Sequence, residues 1–180
     1  MKVAFLDRDG TLNVDHGYVH KPDDVKLVDG AKQALHKLIL NGFKLIMITN
    51  QSGIGRGYFD LDDFHKTNQR LCKLLEIEFL NIYFCPHHPE ATVAKYRQHC
   101  VCRKPKPGLF HQAFTDYPMI NKSDSIMIGD SVRDILASSS IGIGISYLLC
   151  PTNSSEHQQS HLPVNTMRAH NWSQIIDHIL

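Results

Sequence analysis

Asp7-Arg8-Asp9-Gly10-Thr11-Leu12 follows directly on Val3-Ala4-Phe5-Leu6, an apolar run without a charge. Such a run predicts a strand buried on both faces, as in the middle of a parallel sheet. Two carboxylates then leave its C-terminal end, which is where open α/β sheets bind their ligands. Side chains alternate along an extended backbone, so Asp7 and Asp9 are expected to face the same way. Gly10 lets the chain turn where a residue with a Cβ would be strained. Acids so placed can hold a hard cation such as Mg²⁺, and one of them can attack phosphorus as a carboxylate nucleophile. The other reading of an isolated D-x-D is a polar turn after a strand. The rest of the chain decides between them.

Leu45-Ile46-Met47-Ile48 is a second apolar strand and ends in Thr49-Asn50-Gln51-Ser52-Gly53-Ile54-Gly55-Arg56-Gly57. Hydroxyl, amide and backbone N–H groups at that place can receive phosphate oxygens. A flexible Gly-rich connection is the alternative, and the spacing is neither that of a Rossmann fingerprint nor that of a P-loop. Further strands are expected at Leu80 to Phe84, at Ser125 to Ile128 (running into Gly129-Asp130-Ser131) and at Gly144 to Leu149. Helices are expected from an Asp29 cap to Gly42, from an Asp60 cap through Leu75, from Gly108 to about Tyr117, from Val132 to Ser139, and from Trp172 to Leu180. Strand and helix alternate five times. That predicts an α/β three-layer sandwich around a parallel sheet of about five strands. Asp7, Thr49 and Asp130 then all stand at C-terminal strand ends and, with Lys104, look like a site for Mg²⁺ and a phosphate. Residues 151 to 165, rich in Ser, Gln and His, are expected to form a long surface loop.

Cys85, His87, Cys100 and Cys102 have the composition of a tetrahedral Cys₃His zinc site. Four protein ligands leave no open position, so that zinc would be structural and would close a loop lacking a core of its own. Free thiols beside a chance histidine are the alternative, and His88 competes with His87 as a ligand. Cys72 and Cys150 read as structural.

The 180 residues are 42% hydrophobic and 21% charged, the make-up of an ordinary soluble globular protein. They read as one domain, 1–180, with a zinc-loop insertion at about 85–104. The formal net charge of +1 argues against a nucleic-acid partner held by bulk charge. No apolar run approaches the length of a membrane span, and Met1-Lys2-Val3 leads straight into the first strand. Neither a signal peptide nor a membrane partner is expected, and the five cysteines read as thiols or metal ligands in the cytoplasm. A monomer is expected.

These residues resemble the haloacid dehalogenase superfamily of phosphatases. D-R-D-G-T at 7–11 is similar to its first motif, Thr49 to its second, Lys104 to its basic third element, and Gly129-Asp130 with Asp134 to its fourth. Within the superfamily, D-R-D-G-T-L-N-V-D-H-G-Y at 7–18, T-N-Q-S-G-I at 49–54, C-P-H-H-P at 85–89 and C-x-C-R-K-P-x-P-G at 100–108 are similar to the heptose 1,7-bisphosphate 7-phosphatases. The resemblance runs from about residue 3 to 148. It implies a minimal core in which the zinc loop stands in for a large cap. It also implies Asp7 as nucleophile, Asp9 as general acid and base, and Thr49 and Lys104 as holders of the phosphoryl oxygens. Mg²⁺ would sit on Asp7, Asp130 and the backbone carbonyl of Asp9. By the same analogy Asp15, His16, Gly17, Tyr18, Asn50, Gln51, Ser52 and Arg103 contact a small phosphorylated sugar, in the supply of heptose for a surface polysaccharide. Where close relatives often carry a basic residue after the last aspartate, this chain has Ser131. Histidinol-phosphate phosphatases, which share the Asp pair and a similar zinc loop, are the alternative within the superfamily. A non-catalytic metal- or partner-binding module is the alternative outside it.

Overall fold

The computed structural model describes residues 1–150 and 161–180. Its centre is a six-stranded parallel sheet of order β3-β2-β1-β4-β5-β6. The strands are β1 (Val3–Leu6), β2 (Lys44–Asn50), β3 (Asn81–Cys85), β4 (Ile126–Gly129), β5 (Ile145–Leu149) and β6 (Thr166–Ala169). Both β1 and β4 are buried along their whole length, as their uninterrupted apolar sequence requires in a sheet covered on both faces. Alternation divides the side chains between two cores. Ala4, Leu6, Leu45 and Met47 pack under the helices α1 (Ala31–Leu40), α3 (Leu61–Leu75) and α6 (Trp172–Ile179). Val3, Phe5, Ile46 and Ile48 pack under α4 (Gly108–Asp116) and α5 (Val132–Ser139). A four-residue helix, α2 (Ser52–Gly55), follows β2. The result is the three-layer α/β sandwich expected, with one strand more than the five counted from sequence.

The additional strand is β6. Its sequence, Thr-Met-Arg-Ala, has no apolar run, because an edge strand is covered on fewer sides and needs none. Its register, Ser146 against Thr166 through Leu149 against Ala169, is fixed by β5. The surface loop expected over 151–165 lies mostly outside the described residues. Asp60 caps α3 as expected, in a reciprocal capping box with Asp63. Asp29 does not cap α1. Gly30 takes the cap position with φ +78°, and no side chain bonds the first turn. The closing helix is tied back to the first loop, where Trp172 Nε1 donates to the Thr11 carbonyl at 3.0 Å.

Candidate active site

The chain leaves β1 toward β2 on one side and has β4 on the other, so the strand order reverses between β1 and β4. A crevice opens at the C-terminal ends of such a pair. Asp7 stands at the end of β1, its N–H donating to the Ile128 carbonyl at 3.0 Å, and Asp130 follows β4 directly. Gly10, at φ +76°, turns the chain between them. A Cβ there would run into the Asp130 carboxylate, so the glycine of the motif makes room for the acid of another strand.

Carboxylate oxygens of Asp7, Asp130 and Asp134 lie within 4.8 Å of one another. Lys104 reaches this group from the loop before α4. Its ammonium, on a side chain 2% exposed, lies 2.9 Å from Asp7 Oδ1 and 2.6 Å from Asp134 Oδ1, and it donates to the Ile48 carbonyl at 2.7 Å. Burial alone would lower the Lys104 pKa. The Asp134 and Asp7 charges outweigh it and hold the lysine above its usual value. Burial raises Asp7 to about 6, with Asp134 and Asp9 adding to the shift and Lys104 opposing it. Burial, followed by the Asp7 and Asp134 charges, raises Asp130 to about 8. Three crowded carboxylates against one ammonium, with hard oxygen donors alone, fit Mg²⁺. Asp134, which the sequence left between a partner of the metal site and a surface residue of its helix, is 1% exposed. Its Oδ2 accepts the Ser131 N–H at 3.0 Å, closing the capping box of α5.

Asp9 lines the same cleft, of about 490 Å³, but its carboxylate is outside the three-acid group. Arg8 binds it through Nε (3.2 and 3.1 Å) and Nη2 (3.0 Å), Asn13 Nδ2 donates to it at 3.0 Å, and Gln51 Nε2 donates at 2.8 Å. Gln51 also donates to Thr49 Oγ1 at 2.9 Å, which leaves the Thr49 hydroxyl proton free to donate. Asn50 clasps the backbone of Lys104, accepting its N–H at 3.0 Å and donating to its carbonyl at 3.2 Å.

Asp15, Gly17, Tyr18, Ser52 and Arg103 line the cleft together with Asp7, Asp9, Thr49, Asn50, Gln51, Lys104 and Asp130. His16 is not among the lining residues. Its Nε2 lies 3.2 Å from the Asp24 carbonyl on the exposed side of its loop, because Gly17 turns that loop at φ +89°. Sequence reasoning missed Arg56 and Arg133, which also line the cleft. Among the described residues neither they nor Arg103 forms an ion pair. Arg103 Nη1 and Arg56 Nε are buried without a hydrogen-bond partner, and Arg133 Nε donates to Ser131 Oγ at 3.2 Å. Burial and then the positive fields of its neighbours, Arg133 and Arg56 among them, lower the Arg103 pKa. The one signal in the sequence was Arg56 among the glycines after Thr49.

The residues between β3 and α4 form a small lid over α2, with Val93 N–H bonded to the Gly55 carbonyl at 2.9 Å. At its base Cys85 Sγ lies 3.2 Å from Cys102 Sγ and 3.6 Å from Cys100 Sγ, and His87 Nδ1 lies 3.2 Å from Cys102 Sγ. Tetrahedral zinc with sulfur and nitrogen ligands needs donor separations of about 3.5–3.8 Å, so the cluster fits that ion after small adjustments. The hydrogen bond shared with Cys85, reinforced by His87, draws the Cys102 thiol down to about 5, toward the thiolate a metal requires. His88 turns instead to Arg56, its Nε2 3.0 Å from Nη2.

Comparison with known proteins agrees with this arrangement. A model of the polynucleotide kinase 3 phosphatase family matches residues 2–172. A D-glycero-beta-D-manno-heptose-1,7-bisphosphate 7-phosphatase of Photorhabdus laumondii is 40% identical over 170 residues, covering 91% of this chain and 90% of its own. The protein of the same name from Pasteurella multocida is 47% identical over 139 residues, 76% of this chain and 74% of its own. A crystal structure of D,D-heptose 1,7-bisphosphate phosphatase from B. bronchiseptica, complexed with magnesium and phosphate, superposes with a TM-score of 0.87 at 28% identity, covering 99% of this chain and 98% of that one. No helix of the described residues is long and apolar enough to cross a membrane. With a family model matched along nearly its whole length, and relatives this similar over more than two thirds of both chains, the chain belongs to the polynucleotide kinase 3 phosphatase family of haloacid dehalogenase-like phosphatases.

Proposed function

We propose that this phosphatase depends on Mg²⁺ and removes the 7-phosphate of D-glycero-D-manno-heptose 1,7-bisphosphate through an aspartyl-phosphate on Asp7, in the supply of heptose for a surface polysaccharide. The observation that carries the reading is the division of charge in one cleft. Carboxylates crowd its floor, and three guanidiniums with no ion pair among the described residues stand in its wall. A substrate with two phosphates satisfies both, one phosphate reacting over Asp7 and the other neutralising Arg56, Arg103 and Arg133. Histidinol phosphate, with an ammonium and an imidazole in place of the second phosphate, would meet like charge there. The names of the relatives support the same substrate.

Asp7 Oδ attacks phosphorus. The bond from phosphorus to the sugar oxygen breaks as Asp9 gives that oxygen its proton. Water then attacks the aspartyl-phosphate, Asp9 takes the proton of the water, and the electron pair of the acyl phosphate bond returns to Asp7. The Thr49 hydroxyl and the Lys104 ammonium hold the phosphoryl oxygens while charge redistributes. Asp7, Asp130 and the backbone carbonyl of Asp9 would hold magnesium, which would neutralise an anionic nucleophile facing an anionic phosphate. We read residues 1–180 as one catalytic domain whose zinc loop covers the sugar, acting as a monomer in the cytoplasm, where the five cysteines stay reduced.

Phosphate release from a panel of sugar phosphates and histidinol phosphate tests the reading. The expected result is a preference for heptose 1,7-bisphosphate and a loss of about 10⁴-fold or more in Asp7→Asn. Activity lost in the variant but directed at another phosphate keeps the chemistry and overturns the substrate. Equal activity in both proteins removes Asp7 as nucleophile.

A further inference from the structure

We infer that Arg8 is a positioning residue for the acid–base carboxylate, through its two-point grip on Asp9. The inference rests on the role proposed above for Asp9. Arg8 is not among the residues lining the cleft, and its guanidinium is buried at 1% exposure, with its Cζ 5.7 Å from the centre of the Phe64 ring. There it is bound on every side. Nη1 donates to Asn68 Oδ1 at 3.3 Å, Nη2 to the Val19 carbonyl at 2.7 Å, and Nε and Nη2 to Asp9. A planar fork anchored at its other end by α3 fixes both the place and the plane of the carboxylate it grips. Asp9 is thereby turned by a residue that touches neither phosphate nor metal. Asn13 adds one bond to Oδ1 and Gln51 one to Oδ2, so among these partners Arg8 is the residue whose single rigid group reaches both oxygens.

Lysine in place of Arg8 keeps the charge and loses the fork. The step most sensitive to the plane of Asp9 is protonation of a poor leaving group. A sugar alkoxide needs that proton, whereas p-nitrophenolate leaves without it. Aspartyl-phosphate formation is therefore measured in single turnovers for Arg8→Lys with a sugar phosphate and with p-nitrophenyl phosphate. The expected loss is about 10²-fold for the sugar phosphate, the size of a misaligned general acid, and under about threefold for the aryl ester. Asn68→Ala frees the far end of the guanidinium without touching Asp9. It is expected to give the same selectivity at about a tenth of the size, and it stands in for Arg8→Lys if that protein does not fold. Equal losses on both substrates, or no loss on either, overturn the inference. Asp9→Asn run alongside separates the two claims. If it shows the leaving-group selectivity and the Arg8 and Asn68 variants do not, the positioning role alone falls. If Asp9→Asn shows none, the acid–base reading falls and takes the inference with it.

Discussion

Lys104 keeps a full ammonium at 2% exposure because three acceptors surround it, two carboxylates and the Ile48 carbonyl. Lys104→Met preserves the stem and removes the charge, leaving Asp7 and Asp134 side by side in a buried place. Breaking a buried pair from one side costs about 3–5 kcal/mol. Here the cost depends on pH, since Asp7 already titrates at about 6 and can take a proton once its cation is gone. The folded-state pKa of Asp7 then rises further above its unfolded value, so the variant loses most where the group is asked to ionise. Urea unfolding is expected to show a loss of about 3 kcal/mol at pH 8 and a clearly smaller one at pH 5. A loss equal at the two pH values would mean that the ammonium does not balance Asp7. Turnover is expected to fall by about 10²–10³-fold, the effect of removing one donor to a developing oxyanion.

The insertion between β3 and α4 is an element without a core. Few of its side chains are buried, Ala91 among them, and its residues hold to α2 and to the Cys85 end of β3. A metal tie is what such a segment requires. Purified protein never exposed to a chelator is expected to carry about one zinc per chain. Cys102→Ser is expected to lose it and to become cleavable by protease between residues 86 and 103, with the helical and sheet signal of the core retained. A zinc-free wild type with an intact, protease-resistant loop would end the claim. This loop also marks how far sequence carries. Cys85, His87, Cys100 and Cys102 lie in two short runs, so their chemistry is visible as spacing. The buried strands are visible as apolar runs, and Asp7 and Asp130 as acids following them. Arg56 and Arg133 reach one wall from α2's end and α5's first turn, a convergence created by the sheet order and absent from any local pattern. His16 was assigned by adjacency to its neighbours, and β6 was hidden because an edge strand needs no apolar run.

At the scale of the molecule, the site is a reservoir of charge that opposes folding unless a cation is bound. Burial raises Asp130 to about 8 and Asp7 to about 6, whereas both titrate near 4 in the unfolded chain. Between about pH 4 and 8 the folded state therefore holds protons that the unfolded state has released, and stability falls as pH rises through that window. Mg²⁺ held there would need the ionised carboxylates, so its affinity would grow as those protons leave. Free Mg²⁺ at about 100 times its Kd adds about 2.7 kcal/mol, which for a chain of this length raises Tm by about 5–10 °C. Thermal melts of zinc-loaded, magnesium-free protein are expected to show Tm falling from pH 5 to pH 8, with added Mg²⁺ recovering little at pH 5 and the full amount at pH 8. His88, whose pKa is lowered by burial and then by Arg56 and Arg103, contributes in the opposite direction, so the carboxylate share is isolated by difference. Asp130→Asn removes the larger of the two shifted acids. Its Tm is expected to be higher than wild type without Mg²⁺ at pH 8, flatter with pH, and insensitive to the ion. A variant as steep as wild type, or a Mg²⁺ gain equal at both pH values, would place the pH response in other groups and leave Asp7 and Asp130 ionised without cost. That would remove the physical reason for assigning the cation to this cleft.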